Sequence, residues 1–164
     1  MSFLTPLPSS LTPFNPVVLM ATFFGIGRLP HAPGTWGSLV ALPTGIGLAL
    51  LWGPVGVVVG SLVMVSIGLW AADIYGHLSG KPDAPEIVID EVAGQWLTMM
   101  AMPLTPLGVI TAFVLFRVFD IVKPWPIRFV DKKLKGSSGV MLDDLIAAVY
   151  ASCIFLVLRW VFDW

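Results

Sequence analysis

The sequence predicts an all-α fold: a multihelical integral membrane protein with about four or five membrane-associated helices and a short N-terminal helix ahead of them. Three observations carry that expectation. The chain is 57% hydrophobic and only 12% charged, against roughly 25% charged residues in soluble domains. Its mean hydropathy is +0.90, with seven Trp. The stretch from Ser38 to Trp70 has no charged residue at all, and it exceeds the roughly 20 apolar residues of a single bilayer crossing. A length of 164 residues suits one domain with a real core, spanning 1–164 with 1–14 as an irregular lead-in.

The opening MSFLTPLPSSLTPFNP has neither the basic n-region nor the continuous apolar core of a cleaved signal peptide. Asn15 followed by Pro16 is an N-cap and first-turn pair, predicting a short helix from Pro16 to Phe24 that Gly25 stops. The segment GIGRLPHAPGTWGS, Gly25 to Ser38, reads as a Gly-rich loop. Its backbone can approach a ligand closely, and Arg28, His31 and Thr35 can donate to phosphate oxygens. A plain tight turn between helices is the alternative. Gly53-Pro54 then splits the apolar run into a helical hairpin, roughly Gly37 to Trp52 and Val55 to Tyr75. Its repeated Gly and Ser suit close helix packing in lipid. Asp73 and His77, four apart, form a polar pair near the interface. Cys153 is the single cysteine, so no internal disulfide and no cysteine metal cluster exist.

Four acids follow within nine residues: Asp83, Glu86, Asp90 and Glu91. The first two precede or begin a helix, where the dipole favours them. Asp90 and Glu91 are flanked by Ile87-Val88-Ile89 and Val92-Ala93, and a carboxylate so placed needs a cation. This helix ends at Pro103. The next runs from Leu107 to Val122 and stops before Lys123-Pro124, with Arg117, Asp120 and Lys123 on one face. A last helix, from Leu142 to Phe162, carries Asp143 and Asp144 in its first turn.

Five of the nine basic residues fall between Lys123 and Lys135, which marks that loop as cytoplasmic. Two hairpins then bring Gly25 to Ser38, Leu78 to Glu91 and Lys123 to Asp144 to one face, with Gly53-Pro54 and Pro103 to Pro106 on the other. The weak point is Val92 to Met102, only about 16 Å long. Net charge of −1 excludes a general nucleic-acid footprint. Converging carboxylates favour a hard cation, Mg²⁺ ahead of Ca²⁺ for a phosphate substrate, and phosphoryl transfer as the chemistry. Neither a GxxxxGK[ST] loop nor a Cys-x5-Arg motif is present, and DxxDGxxAR of the phosphatidyl transferases is missing. A transporter or assembly subunit with interfacial carboxylates is the non-enzymatic alternative.

GIGRLPHAPGTWGS, IVIDEVAGQW, FRVFDIVKPWPI and GVMLDD, in this order from Gly25 to about Tyr150, resemble the phosphatidylglycerophosphatase A family. The resemblance implies a Mg²⁺-dependent enzyme of the bacterial inner membrane that converts phosphatidylglycerophosphate to phosphatidylglycerol. It marks Asp90, Glu91, Asp120, Asp143 and Asp144 as the catalytic and metal-binding acids. Arg28, His31, Thr35, Arg117 and Lys123 match polar positions in the family's loops; their chemistry suits phosphate binding for Arg28, Thr35, Arg117 and Lys123, and for His31 either an acid for the leaving alkoxide or a phosphate ligand. The chain departs from the family at KPDAPE, which leaves the roles of Asp83 and Glu86 open. Water attack and an aspartyl-phosphate intermediate are both compatible with these residues.

Overall fold

The computed structural model describes residues 4–162; the first three positions of the expected lead-in lie outside them. Regular structure among the described residues is helical: α1 (Pro16–Ala21), a 3-10 turn (Ile26–Arg28), α2 (Pro33–Ser79), α3 (Ile89–Met100), α4 (Pro106–Val122), α5 (Ile127–Lys133) and α6 (Ser137–Phe162). Residues 4–15 form no helix.

Asn15 caps α1, its Oδ1 accepting the Val17 N–H at 2.9 Å, with Pro16 in the first turn. The helix ends at Ala21, short of the expected Phe24. Thr22 accounts for this: its Oγ1 donates to Val18 O at 2.7 Å and accepts the Gly25 N–H at 2.9 Å. The chain then turns through positive φ at Phe23, Phe24 and Gly25.

α2 begins at Pro33, ahead of the expected Gly37, because proline fits the first helical position. The second half of the Gly-rich segment is therefore helix, and its glycines serve packing. A Cβ on Gly34 would overlap the Glu91 carboxylate, and one on Gly37 would lie 2.9 Å from Val88 Cβ. At Gly53 (φ 67, ψ −167) the helical geometry breaks, dividing α2 into limbs 33–52 and 54–79. The limbs run in opposite directions, since they meet α3 in opposite order. The first sets Gly37 on Val88 and Gly45 on Trp96 and Met99; the second sets Gly68 on Ile89 and Gly60 on Trp96. Small residues let the backbones approach, and two buried hydrogen bonds fasten α3 between the limbs: Trp96 Nε1–H to Ala41 O and Ser61 Oγ–H to Ala93 O, both 2.8 Å.

Thr105 caps α4, its Oγ1 accepting the Gly108 N–H at 3.1 Å. Lys123, at φ 46, ends that helix. α5 occupies part of what the sequence suggests is an irregular loop, with Ile127 fully buried beneath it. α6 starts at Ser137 instead of Leu142, because Gly136 turns at φ 78 and its carbonyl accepts from both Gly139 and Val140. Asp143 and Asp144 consequently fall in its second turn.

Two helices are long and apolar enough to cross a membrane, α2 and residues 137–161 of α6. Only 11% of the most apolar window of α2 is buried, the reverse of a soluble core helix, and Leu50, Leu51, Trp52 and Val55 are exposed. That surface makes the protein membrane-associated. At 1.5 Å per residue α3 is about 18 Å long and α4 about 26 Å, both short of the roughly 30 Å hydrocarbon layer. Of the four or five membrane-associated helices expected, α2 and α6 meet the requirement outright.

Candidate active site

The three polar segments meet around a cavity of about 300 Å³, bounded by the start of α2, the turn at 83–87, the first turn of α3, the end of α4, α5 and the second turn of α6. Seven carboxylates line it against two cations, Arg117 and Lys123. These are the five expected acids joined by Asp83 and Asp131.

The first turn of α3 puts Asp90 and Glu91 at the positive end of a helix dipole. The Val88 N–H bonds Ala21 O at 2.9 Å, which pins this turn to the end of α1, and Gly34 leaves room for the Glu91 carboxylate. Asp144 comes in from α6, so that one oxygen from each of Asp90, Glu91 and Asp144 lies within 4.8 Å of the others. Asp90 Oδ1, Glu91 Oε2 and Asp144 Oδ2 are buried without a hydrogen-bond partner. Burial pushes the Asp90 carboxyl well above its usual range, and the neighbouring Glu91 charge adds to the effect. Unpartnered carboxylates in such a place cost several kcal/mol, and a trio of oxygen donors fits a hard divalent cation.

Asp120 and Asp143 are held differently. Arg117 Nη1 lies 2.6 Å from Asp120 Oδ2 and 3.7 Å from Glu91 Oε1. Lys123 Nζ donates to Asp143 Oδ2 and, at 2.6 Å, to Asp131 Oδ1. Burial works against the Lys123 charge, but the hydrogen bonds to Asp131 and Asp143 outweigh it and hold the ammonium above its usual pKa. The same hydrogen bond holds Asp131 below the ordinary carboxylate range. Arg117 also reaches Ser38 Oγ and Thr35 Oγ1, each at 3.5 Å, while its buried Nε–H has no acceptor. The cavity thus presents orphaned acceptors and one orphaned donor together.

The structure gathers Asp90, Glu91, Asp120, Asp143, Asp144, Arg117 and Lys123, and sets Thr35 behind Arg117. Arg28 and His31 do not line the cavity. Arg28 is tied to the lead-in, its Nε–H donating to Thr5 O at 3.1 Å and its carbonyl accepting the Thr5 N–H at 2.8 Å. His31 is exposed at φ 61 before α2. Sequence reasoning missed Asp131, hidden in a basic run; its signal is that it is the sole acid between Lys123 and Lys135 and lies one turn from the buried Ile127. It also missed Gln95, one turn after Glu91, which is fully buried with both amide atoms unpartnered.

Seven carboxylates and two fixed cations thus line one cavity on a membrane-associated helical body. The family model for phosphatidylglycerophosphatase A matches residues 19–159, and the chain belongs to that family. It is 37% identical over 147 residues to phosphatidylglycerophosphatase A of Haemophilus influenzae, covering 89% of this chain and 90% of the relative. It is 38% identical over 146 residues to the Escherichia coli protein of the same name, covering 88% and 84%. A Bacteroides thetaiotaomicron relative named as a putative phosphatidylinositol-3-phosphatase is 41% identical over 154 residues, covering 88% and 94%. No solved structure matches significantly. The chain is accordingly a phosphatase, which displaces the transporter or assembly-subunit alternative.

Proposed function

We propose that the protein hydrolyses the terminal phosphomonoester of phosphatidylglycerophosphate, in phospholipid biosynthesis at the cytoplasmic face of the bacterial inner membrane. One observation carries this reading: three orphaned carboxylate oxygens and an orphaned guanidinium N–H belong to residues of one cavity. Orphaned acceptors call for a cation, and an orphaned donor beside them calls for an anion. A phosphomonoester bound with Mg²⁺ satisfies both.

Asp90, Glu91 and Asp144 would hold the Mg²⁺, which when bound supplies Lewis-acid polarisation of the phosphoryl oxygens. Arg117 offers its Nε–H to a phosphoryl oxygen, with Asp120 fixing the guanidinium. Lys123 has three N–H donors, of which Asp131 and Asp143 engage two. The third faces the substrate, and because its pKa is raised Lys123 acts as a fixed charge and not as an acid. Water attacks phosphorus, the bond from phosphorus to the glycerol oxygen breaks, and a cavity carboxylate takes the proton of the water and returns it to the departing glycerol alkoxide. Inversion at an isotopically chiral phosphorus tests this against the aspartyl-phosphate route, which gives retention.

The basic residues of α5 at the cavity end support the cytoplasmic orientation. Both limbs of α2, α4 and α6 would enter the bilayer, with α3 reaching part way. A cysteine introduced as Lys132→Cys, in a Cys153→Ser background, should then react with an impermeant reagent in inverted vesicles and stay protected in spheroplasts; the opposite pattern would reverse the topology. The Bacteroides relative favours a second substrate, a phosphoinositide monoester. Phosphate release by purified protein from phosphatidylglycerophosphate and from phosphatidylinositol 3-phosphate, with Mg²⁺ or EDTA, separates the two. The proposal expects faster Mg²⁺-dependent turnover of the first, and no release from it would refute the substrate assignment.

A further inference from the structure

Helix α5 and its flanks carry a surface that the catalytic reading leaves unused. Ile127 and Asp131, one turn apart, face inward, the first fully buried and the second bonded to Lys123. Of the remaining positions Val130 is half-buried, while Arg128, Phe129, Lys132 and Lys133 are exposed, as is Lys135 just beyond. Because the sole acid of the segment is paired with Lys123, the outward face carries only cations as its fully exposed charges. It is also apolar: Trp125 is 79% exposed and Phe129 51%, with Lys133 Nζ 5.1 Å from the Phe129 ring centroid.

The exposed apolar surface is continuous with that of α4, where Ile121 and Val122 are exposed immediately before Trp125. α5 itself lies between the end of α4 and the start of α6, at the end of the apolar body where a headgroup layer begins. Aromatic side chains with Lys and Arg beside them are the composition that rests at this level. We infer that α5 with Trp125 is a docking surface for anionic phospholipid, holding such lipid beside the mouth of the carboxylate cavity. Charge complementarity commits the occupant to anionic lipid: from Lys123 to Lys135 the exposed side chains are the cations Arg128, Lys132, Lys133 and Lys135 and the apolar Trp125, Phe129 and Leu134, and the one acid, Asp131, is engaged by Lys123. The consequence for function is electrostatic. A cavity of seven carboxylates and two cations repels an anionic lipid, and a cationic collar at its edge offsets that repulsion where the lipid arrives.

The inference does not depend on which phosphoester is cleaved, so its test needs no turnover. The full-length protein is placed in nanodiscs of phosphatidylcholine containing either brominated phosphatidylserine or brominated phosphatidylcholine. Quenching of Trp125 is isolated by subtracting the signal of Trp125→Phe. One cation near an anionic surface is worth about fivefold in local enrichment, so the brominated anionic lipid should quench at a mole fraction at least about fivefold lower than the zwitterionic one. Molar salt, or the combined Arg128→Gln, Lys132→Gln and Lys133→Gln substitutions, should remove the difference. Should that triple variant fail to fold, the salt arm on wild type decides alone. Equal quenching by both lipids, or a preference that survives both salt and charge removal, overturns the inference.

Discussion

Replacing Gly34 with alanine separates the site from the fold more sharply than removal of any carboxylate. Gly34 lies in the first turn of α2, where an alanine backbone is unstrained and helix propensity favours it by at most about 1 kcal/mol. The added Cβ, however, would overlap Glu91 Oε1, lie 2.8 Å from Glu91 Cδ and stand 3.2 Å from Arg117 Nη1. The obstacle is the end of a flexible side chain, so the helix is preserved and the carboxylate moves. That withdraws one of three clustered acids and disturbs the guanidinium beside it. Disturbing the support of a metal ligand costs 10–100-fold in affinity or activity, or about 1.4–2.7 kcal/mol. Gly34→Ala should therefore unfold in detergent within about 1 kcal/mol of wild type, while phosphate release in Mg²⁺ falls by about 10-fold or more. Wild-type activity in a normally folded Gly34→Ala protein would refute the packing of Glu91 against α2.

Three further outcomes follow from the same geometry. Trp96→Phe removes the buried donor to Ala41 O and should cost about 1–3 kcal/mol of stability in denaturant titration, with kcat little changed in the folded fraction. His31→Ala should keep most of its activity, since His31 is exposed and outside the cavity lining; a loss of two orders or more in kcat would return His31 to the chemistry. Asp131 has a folded pKa below its unfolded value, so its contribution is complete above about pH 4 and disappears as pH falls through the folded value. The melting temperature of wild type should accordingly drop further than that of Asp131→Asn on passing from about pH 5 to about pH 3, and parallel losses would show that the pair adds nothing.

The hairpin break at Gly53 is legible because Gly-Pro punctuation acts locally, on the very residue that leaves helical φ/ψ. The start of α1 is equally local, a cap and a proline. Its end is not, because it depends on Thr22 bonding both Val18 O and the Gly25 N–H, an arrangement with no periodic signature. The Gly-rich segment misleads in an instructive way. Glycine announces that something comes close without naming it, and at Gly34 and Gly37 the visitors are Glu91 and Val88 of the α3 entry. The acids are readable as a set because each interrupts an apolar run. Their division is legible only in part: Arg117 and Asp120 share a face of α4, but Lys123 crosses to Asp143 on α6 and to Asp131 in a helix too short to leave a pattern.

Direct cation binding tests the division between orphaned and paired carboxylates. Mn²⁺ titrated into the purified protein and followed by electron paramagnetic resonance, in Mg²⁺-free buffer, should reveal a tight site in wild type. Asp90→Asn and Asp144→Asn should weaken that site by at least about 10-fold, while Asp143→Asn, whose carboxylate is engaged by Lys123, should retain it. Loss of Mn²⁺ on Asp143→Asn with retention on Asp90→Asn would contradict the assignment of the orphaned carboxylates as the cation's ligands.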